Sequence, residues 1–149
     1  MPAKKKYTYD FPRPSVTADI VLITKGPRPR VLLIRRKDDP YAGHWALPGG
    51  YVNQNEPLLT AAKRELKEET GLQIKNLHQL RAFGDPGRDP RGWTVTIAFI
   101  AHVSAANLNP RAGDDAAEAA WHPLDDLPKL AFDHAKIIAA ARRFRDSSS

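Results

Sequence analysis

The chain has 149 residues, with 23 basic and 17 acidic side chains that give a formal net charge of +6, and it contains no cysteine. This length suits one domain, which we expect to span residues 1–149 with flexible tails at 1–8 and 147–149. The lack of cysteine excludes disulfides, thiolate nucleophiles and cysteine-based zinc sites, and no apolar run approaches the roughly 20 residues of a membrane span, so we expect a cytoplasmic protein without a membrane partner.

The first third of the chain predicts a hairpin and a short strand. Residues 1–14 form an extended lead-in. Apolar, β-branched runs predict strands at 16–23 and 31–36, joined by a Gly- and Pro-rich turn. A short strand follows at 45–47, and Gly49-Gly50 after it predicts a tight turn.

The clearest helix is predicted at residues 57–70. Pro57 suits the first helical position, and Asn55 or Glu56 can cap the helix. Gly71 suits the position after its last residue.

The second half predicts two more strands, at 79–83 and 93–103, separated by the irregular segment 84–92. A short strand ends at residue 123, and a closing helix covers 133–145, where we expect His134 to act as a cap. Strands mixed with two helices predict an α/β domain.

Glutamate is concentrated in the predicted helix. Four of the five glutamates lie within fourteen residues, at Glu56, Glu65, Glu68 and Glu69. At 100° per residue, Glu65 and Glu69 fall within about 20° of Leu58, on the inward face of the helix. Two like charges one turn apart on a buried face are unfavourable unless a cation joins them. Hard carboxylate oxygens favour Mg²⁺, or Mn²⁺, over zinc.

The segment Gly50–Leu72 resembles a complete Nudix box. The family pattern is Gly, five residues, Glu, seven residues, Arg-Glu, an aliphatic residue, one residue, Glu-Glu, one residue, Gly and an aliphatic residue. Every fixed position of that pattern is matched. The resemblance implies an α/β/α sandwich with a mixed central sheet, and hydrolysis of a nucleoside diphosphate linked to another moiety.

The resemblance also implies roles for the residues of the box. Glu65, Glu68 and Glu69 are expected to bind the divalent metal and to be catalytic. Structural support is expected from an ion pair between Glu56 and Arg64 and from turns at Gly50 and Gly71.

Segments outside the box indicate the substrate. Residues 9–21, 84–93 and 130–134 resemble those of ADP-ribose pyrophosphatases. We therefore expect hydrolysis of ADP-ribose to AMP and ribose 5-phosphate by a homodimer. The same motifs occur in an ADP-ribose-sensing repressor and in domains fused to nucleotide adenylyltransferases, so a non-catalytic sensor stays open. Hydrolysis of another nucleotide also stays open, such as an oxidised nucleoside triphosphate, a sugar nucleotide or a dinucleotide.

Arginines in two segments are candidates for contacts with phosphate oxygens. Arg91 is the first choice and Arg88 the second, and both lie in a loop stiffened by Pro86 and Pro90. The alternative is that this loop is only a rigid connection between two strands. Arg35 and Arg36 end a strand and point to opposite sides, so that one at most enters the site; Arg36 is the candidate. The positive charge also suits a nucleic-acid binder, but no motif of that kind is present, and we expect no nucleic-acid partner.

Glu118 is the only glutamate outside the box. Some Nudix enzymes take a catalytic base from a loop in this region, so Glu118 is a candidate for that role. Asp115 and the glutamates of the box are the alternatives.

Overall fold

The computed structural model describes residues 6–113 and 116–148, with side chains as far as residue 144. In chain order the elements are β1 (Ser15–Thr24), β2 (Arg30–Arg36), β3 (Trp45–Ala46), β4 (Gly49–Tyr51), α1 (Leu58–Thr70), β5 (His78–Phe83), β6 (Thr94–Val103), a short 3₁₀ helix (Ala105–Asn107), β7 (Ala116–Pro123) and α2 (His134–Ser148). Among these described residues, neither helix combines the length and the apolar character of a membrane span.

The strands form one mixed sheet around β1. Strand β1 pairs in parallel with β6 along its whole length, from Ser15 opposite Thr94 to Thr24 opposite Val103. On its other edge β1 pairs antiparallel with β2 and with β4. Strand β7 is antiparallel to β2, and β5 is antiparallel to β6. The hairpin predicted between the first two strands is present.

Each face of the sheet is covered by one helix. Alternate residues of β1 point to opposite faces, as the period of two in a strand requires. Ile20 and Leu22 pack with Leu66 of α1, whereas Val21 and Ile23 pack with Ile137 of α2. The fold is therefore the α/β/α sandwich with a mixed sheet that the resemblance implied.

The prediction of a tight turn at Gly49-Gly50 is wrong. Both glycines lie in strand β4, opposite Asp19 and Ala18 of β1. A Cβ atom at Gly49 would overlap the Ala18 carbonyl oxygen and the Asp19 side chain. Glycine is needed here for a close approach between strands rather than for a turn.

The predicted N-terminal cap of the first helix is also wrong. The helix begins at Leu58, and Pro57 precedes it in an extended conformation with no side-chain cap. Asn55 has a φ of 64°, and Glu56 is engaged elsewhere, as described below. The C-terminal prediction is confirmed, because Gly71 has a left-handed φ of 76° and its N–H donates to the Lys67 carbonyl.

The end of the chain is more regular than expected. Helix α2 continues to Ser148, beyond residue 145 where the sequence predicted its end, and Ser149 lies outside the described residues. Residues 1–5 also lie outside them, while 6–8 are exposed and without regular structure. The flexible tails expected at 1–8 and 147–149 stay a prediction. The segment between β5 and β6 is irregular, as predicted.

Candidate active site

Arg64 of α1 holds the segment that precedes its own helix. Its Nε and Nη2 donate to the two carboxylate oxygens of Glu56, at 2.7 and 2.9 Å. Nη2 also donates to the Tyr51 carbonyl at 3.0 Å, and the Asn53 N–H donates to Glu56 at 3.0 Å. These hydrogen bonds, led by that from Arg64, lower the pKa of Glu56 to about 2. The expected ion pair is present and fastens residues 51–56 to the helix.

The three other glutamates of the box differ in exposure. The side chain of Glu65 is 12% exposed and that of Glu68 is 57% exposed, while Glu69 is buried at 9%. Arg64 Nη1 donates to Glu65 at 2.8 Å and to Glu68 at 3.2 Å. The inward placement of Glu65 and Glu69 follows the helical period that the sequence showed.

The carboxylate of Glu65 rests against the backbone of strand β4. A Cβ atom at Gly50 would lie 2.6 Å from its Oε2 atom. Burial raises the pKa of Glu65, against the opposing effect of its hydrogen bond with Arg64. A buried carboxylate of this kind is held in its charged form at a cost, which a nearby cation would reduce.

The last turn of α1 is fixed by the segment that follows the 3₁₀ helix. The N–H of Gly113 donates to the Glu69 carbonyl at 2.9 Å, and the N–H of Arg111 donates to the Thr70 carbonyl at 2.8 Å. A Cβ atom at Gly113 would overlap the Glu68 carbonyl oxygen. These contacts satisfy carbonyls that a helix end leaves without partners.

A cavity of about 380 Å³ opens beside these carboxylates. Its lining comes from β1, β2, β4 and α1, from the 84–93 loop and from the start of α2. Glu65 and Glu69 therefore face the same space as Arg36, Arg88 and Arg91. Acidic and basic side chains that line one cavity suit a ligand that carries phosphates together with a cation.

Arg36 enters the cavity and Arg35 does not, as the alternation along β2 predicted. Arg36 Nε donates to the Pro40 carbonyl at 2.7 Å. Burial and the positive charge of Arg91 lower the pKa of Arg36.

The two arginines of the loop have different partners. Arg88 donates to both carboxylate oxygens of Asp133, at 2.9 and 2.7 Å, and its side chain is 5% exposed. Arg91 donates to Asp89 at 3.1 and 2.8 Å and is 39% exposed. Arg88 thus joins the loop to the start of α2, whereas Arg91 has more room to meet a ligand.

Two buried polar residues in the cavity wall were missed by the sequence reasoning. The carboxylate of Asp19, on β1, accepts a hydrogen bond from Thr96 at 2.6 Å. The Nδ1 atom of His134 accepts the Leu47 N–H at 2.9 Å, and its Nε2 atom lies 3.7 Å from Asp19. Burial lowers the pKa of His134, and a neutral imidazole with this partner carries its proton on Nε2.

A signal for Asp19 was present in the sequence. It is the one carboxylate within the apolar run of β1, and a charge in a buried strand needs a reason. His134 had no comparable signal. It is buried beside Asp19, and its Nδ1 atom accepts the Leu47 N–H instead of serving as the expected helix cap.

Glu118 does not lie on a loop. It is within β7, opposite Arg35 of β2, and its carboxylate pairs with the Arg35 guanidinium at 3.3 Å. Its side chain is 54% exposed, and it is absent from the cavity wall. The loop location expected for Glu118 is therefore wrong, because the strand extends further toward the N-terminus than the sequence indicated. Asp115 lies outside the described residues.

The donor atoms of the box suit a hard divalent cation. Glu65 and Glu69 offer carboxylate oxygens one helical turn apart in a largely buried setting. Within residues 6–113 and 116–148, however, no group of three His, Asp or Glu side chains is arranged closely enough to hold a metal ion. In this structure it is the Arg64 guanidinium that pairs with Glu65 and Glu68.

Residues 13–141 match the NUDIX domain model, and the chain belongs to the Nudix family. The fold and the acidic helix beside the cavity are thus those of a Nudix hydrolase. An ADP-ribose pyrophosphatase of Methanocaldococcus jannaschii is 44% identical over 142 residues, which cover 95% of this chain and 80% of that protein.

Two further relatives concern a regulator. The ADPR responsive transcriptional repressor NtrR of Acinetobacter baylyi is 34% identical over 137 residues, and the match covers 89% of this chain but only 54% of the repressor. The solved NUDIX domain of Shewanella oneidensis NrtR, complexed with ADP ribose, is 34% identical with a TM-score of 0.83, covering 91% of this chain and 92% of that domain. The chain therefore matches the Nudix part of these proteins.

Proposed function

We propose that the protein hydrolyses the diphosphate bond of ADP-ribose in a Mg²⁺-dependent reaction that gives AMP and ribose 5-phosphate. The observation that carries this proposal is the single cavity in which Glu65 and Glu69 face Arg36 and Arg91. The likeness to the archaeal pyrophosphatase supports ADP-ribose as the substrate. Mn²⁺ is an alternative ion, because it accepts the same oxygen ligands.

The proposed metal ligands are Glu65, Glu69 and, at the exposed edge, Glu68. When bound, the ion would neutralise the diphosphate and help to deprotonate the attacking water. Arg64 and Glu56 hold the preceding loop, and Gly50 leaves room for the Glu65 carboxylate. These three residues act on the geometry of the site rather than on the substrate.

The proposed substrate contacts are made by Arg91 and Arg36. A guanidinium donates two parallel hydrogen bonds to a phosphate and stays charged at all working pH values. Arg88 was a second candidate for this role. Its bidentate pair with Asp133 supports a role in holding the 84–93 loop instead.

The base that takes the proton from water is proposed to be one of the box carboxylates. A base has to lie within about 3 Å of the water. Glu118 is directed to Arg35 on β2 instead. Glu65, Glu68 and Glu69 are therefore the proposed group, and Asp115, which lies outside the described residues, stays an alternative.

A substrate panel tests the proposal. The purified protein is incubated with ADP-ribose, ATP, 8-oxo-dGTP, a sugar nucleotide and NAD, each with Mg²⁺, with Mn²⁺ and with EDTA. We expect AMP from ADP-ribose, at a kcat/KM well above that of the others, and no turnover in EDTA. Preference for a triphosphate with release of pyrophosphate would replace ADP-ribose as the substrate.

A second function, that of an ADP-ribose sensor, is favoured by the likeness to the NrtR domain bound to ADP ribose. Binding of ADP-ribose without cleavage in the same panel would support it. The proposal extends to a cytosolic homodimer without a nucleic-acid partner, which light scattering, cell fractionation and a DNA-binding assay would examine.

A further inference from the structure

One aromatic ring lies against two of the three arginines that line the cavity. The guanidinium carbon of Arg36 is 5.0 Å from the centroid of the Phe132 ring, and that of Arg91 is 5.1 Å from the same centroid. Both distances are within the roughly 6 Å at which a cation is attracted to the face of an aromatic ring. Phe132 itself belongs to the cavity wall.

The ring of Phe132 is held from several sides. Its centroid is 5.0 Å from that of Tyr41, in an edge-to-face arrangement, and 5.3 Å from that of His134. Its backbone has a φ of 53°. A bulky residue rarely adopts this left-handed conformation, and it persists where surrounding contacts fix it, often beside a functional site.

The neighbours of Phe132 are also anchored. Ala131, before it, is fully buried, and Asp133, after it, binds Arg88. Placement of the ring is thus coupled to the 84–93 loop, from which Arg91 comes.

The two arginines are anchored to different segments of the chain. Each is tied by its Nε atom to its own segment, Arg36 to the Pro40 carbonyl and Arg91 to Asp89. The positive charge of Arg91 also contributes to a lowered pKa of Arg36, which shows that the two charges repel each other. The Phe132 ring is the group that both guanidinium groups touch.

We propose that Phe132 is a positioning residue that holds the guanidinium groups of Arg36 and Arg91 on one ring as a paired cation for the diphosphate of the substrate. The proposal deepens the proposed function and rests on it. It assigns to Phe132 no contact with the reacting atoms. Its effect on the substrate passes through the two arginines.

The test compares substitutions of Phe132 with a matched control. Phe132→Leu and Phe132→Met keep apolar bulk but remove the ring, and Phe132→Tyr keeps the ring. Phe83→Leu is the control. The Phe83 ring also makes a cation–π contact, with the Arg81 guanidinium carbon 4.4 Å from its centroid. Phe83 lies outside the cavity wall. Binding of ADP-ribose and of adenosine, which has no phosphate, is measured calorimetrically in EDTA, and kcat and KM are measured with Mg²⁺.

We expect Phe132→Leu and Phe132→Met to weaken ADP-ribose binding by about 5- to 30-fold, as the loss of two cation–π contacts implies. Adenosine binding and kcat should change little, and Phe132→Tyr should restore most of the affinity. Phe83→Leu should lower the melting temperature without changing the Kd. In an Arg91→Ala background the effect of Phe132→Leu should shrink.

Several results would overturn the inference. They are an unchanged Kd in the variants without a ring, an equal loss of adenosine binding, failure of Phe132→Tyr to restore affinity, or an equal effect in the Arg91→Ala background. If Phe132→Leu does not fold, the Kd values of Phe132→Met and Phe132→Tyr for ADP-ribose decide whether the ring is needed. A wild-type protein that binds ADP-ribose without cleaving it contradicts the proposed hydrolysis, and the Kd values still judge the role of Phe132.

Discussion

Gly50 and Glu65 meet so closely that strand β4 has no room for a side chain at this position, since a Cβ atom on Gly50 would lie 2.6 Å from the carboxylate of Glu65. A Cβ atom would displace different neighbours at Gly50 and at Gly49, the two glycines of β4. At Gly50 it is the end of a flexible side chain, whereas at Gly49 it includes the backbone of Ala18.

Gly50→Ala should therefore impair catalysis more than stability. We expect it to change the free energy of unfolding by about 1 kcal/mol or less and to lower kcat/KM at least tenfold, because Glu65 has to move. Gly49→Ala should destabilise the fold by about 1–3 kcal/mol, as overpacking does. Chemical denaturation and steady-state kinetics on both variants check this, and equal stability losses would contradict the distinction.

Glu65→Gln and Glu69→Gln should abolish turnover while the fold is kept. Burial raises the pKa of Glu65, so its charge opposes folding at neutral pH, and the cost is relieved as the pH falls. Replacing the carboxylate with an amide removes that cost. The melting temperature in EDTA should hold or rise, and the stabilisation that Mg²⁺ gives to the wild type should be lost.

The control for these two variants is Asp126→Asn, which removes an exposed carboxylate outside the cavity wall. It should leave both activity and the response to Mg²⁺ unchanged. Near wild-type hydrolysis by either glutamine variant would reject the assignment of Glu65 and Glu69 as metal ligands.

Arg91→Ala and Arg88→Ala should fail in different ways. Loss of one charge-assisted contact to phosphate costs roughly 1.5–3 kcal/mol, so Arg91→Ala should weaken ADP-ribose binding about 10- to 150-fold with little change in melting temperature. Arg88→Ala leaves the Asp133 carboxylate without its bidentate partner and should destabilise the fold by about 2–4 kcal/mol. Calorimetric titration and thermal unfolding separate the two, and a stable Arg88→Ala protein that cannot bind ADP-ribose would return Arg88 to the substrate.

The pair of Glu56 and Arg64 predicts a loss of stability in acid. In the folded protein the pKa of Glu56 is about 2, below its ordinary value of 4.5, so the folded state binds this proton less readily than the unfolded state does. The pair therefore stabilises the fold above about pH 4.5, and its contribution disappears as the pH falls through about 2.

Glu56→Gln should accordingly lower the melting temperature at pH 7, and the difference from the wild type should shrink steadily below pH 4.5. Melting curves of both proteins between pH 2 and 7 measure this difference. A gap that stays constant over the range would show that Glu56 acts by packing rather than by charge.

Glu118→Gln should lower kcat less than threefold, because the side chain pairs with Arg35 and is absent from the cavity wall. A general base would instead account for about 10²–10⁴-fold in rate. Kinetic assays of Glu118→Gln and Asp115→Asn decide between the positions. A loss of the larger size in Glu118→Gln would mean that β7 carries the base after all.

The acidic helix was predictable from sequence because its signals are local. A period of 3.6 residues placed Glu65 and Glu69 inward, and Gly71 marked the end of the helix. The resemblance to the Nudix box also implied the pairing of Glu56 with Arg64. None of these depends on what the rest of the chain does.

The missed features depend on distant partners. Gly49 and Gly50 are typical of a turn in isolation, and their need for glycine comes from Asp19 and Glu65. His134 reaches Leu47, 87 positions earlier in the chain. Contacts of this kind follow from the order of strands in the sheet, which local patterns leave undetermined.

The parallel pairing of β1 with β6 has a consequence for synthesis of the chain. Strand β1 leaves the ribosome early, but the strand that covers its full length follows roughly 80 residues later. Strand β2 waits still longer for β7. The free edge of β1 stays open until about residue 103 has emerged, and that of β2 until about residue 123. We therefore expect the unfinished chain to be prone to aggregation and to be a substrate for chaperones.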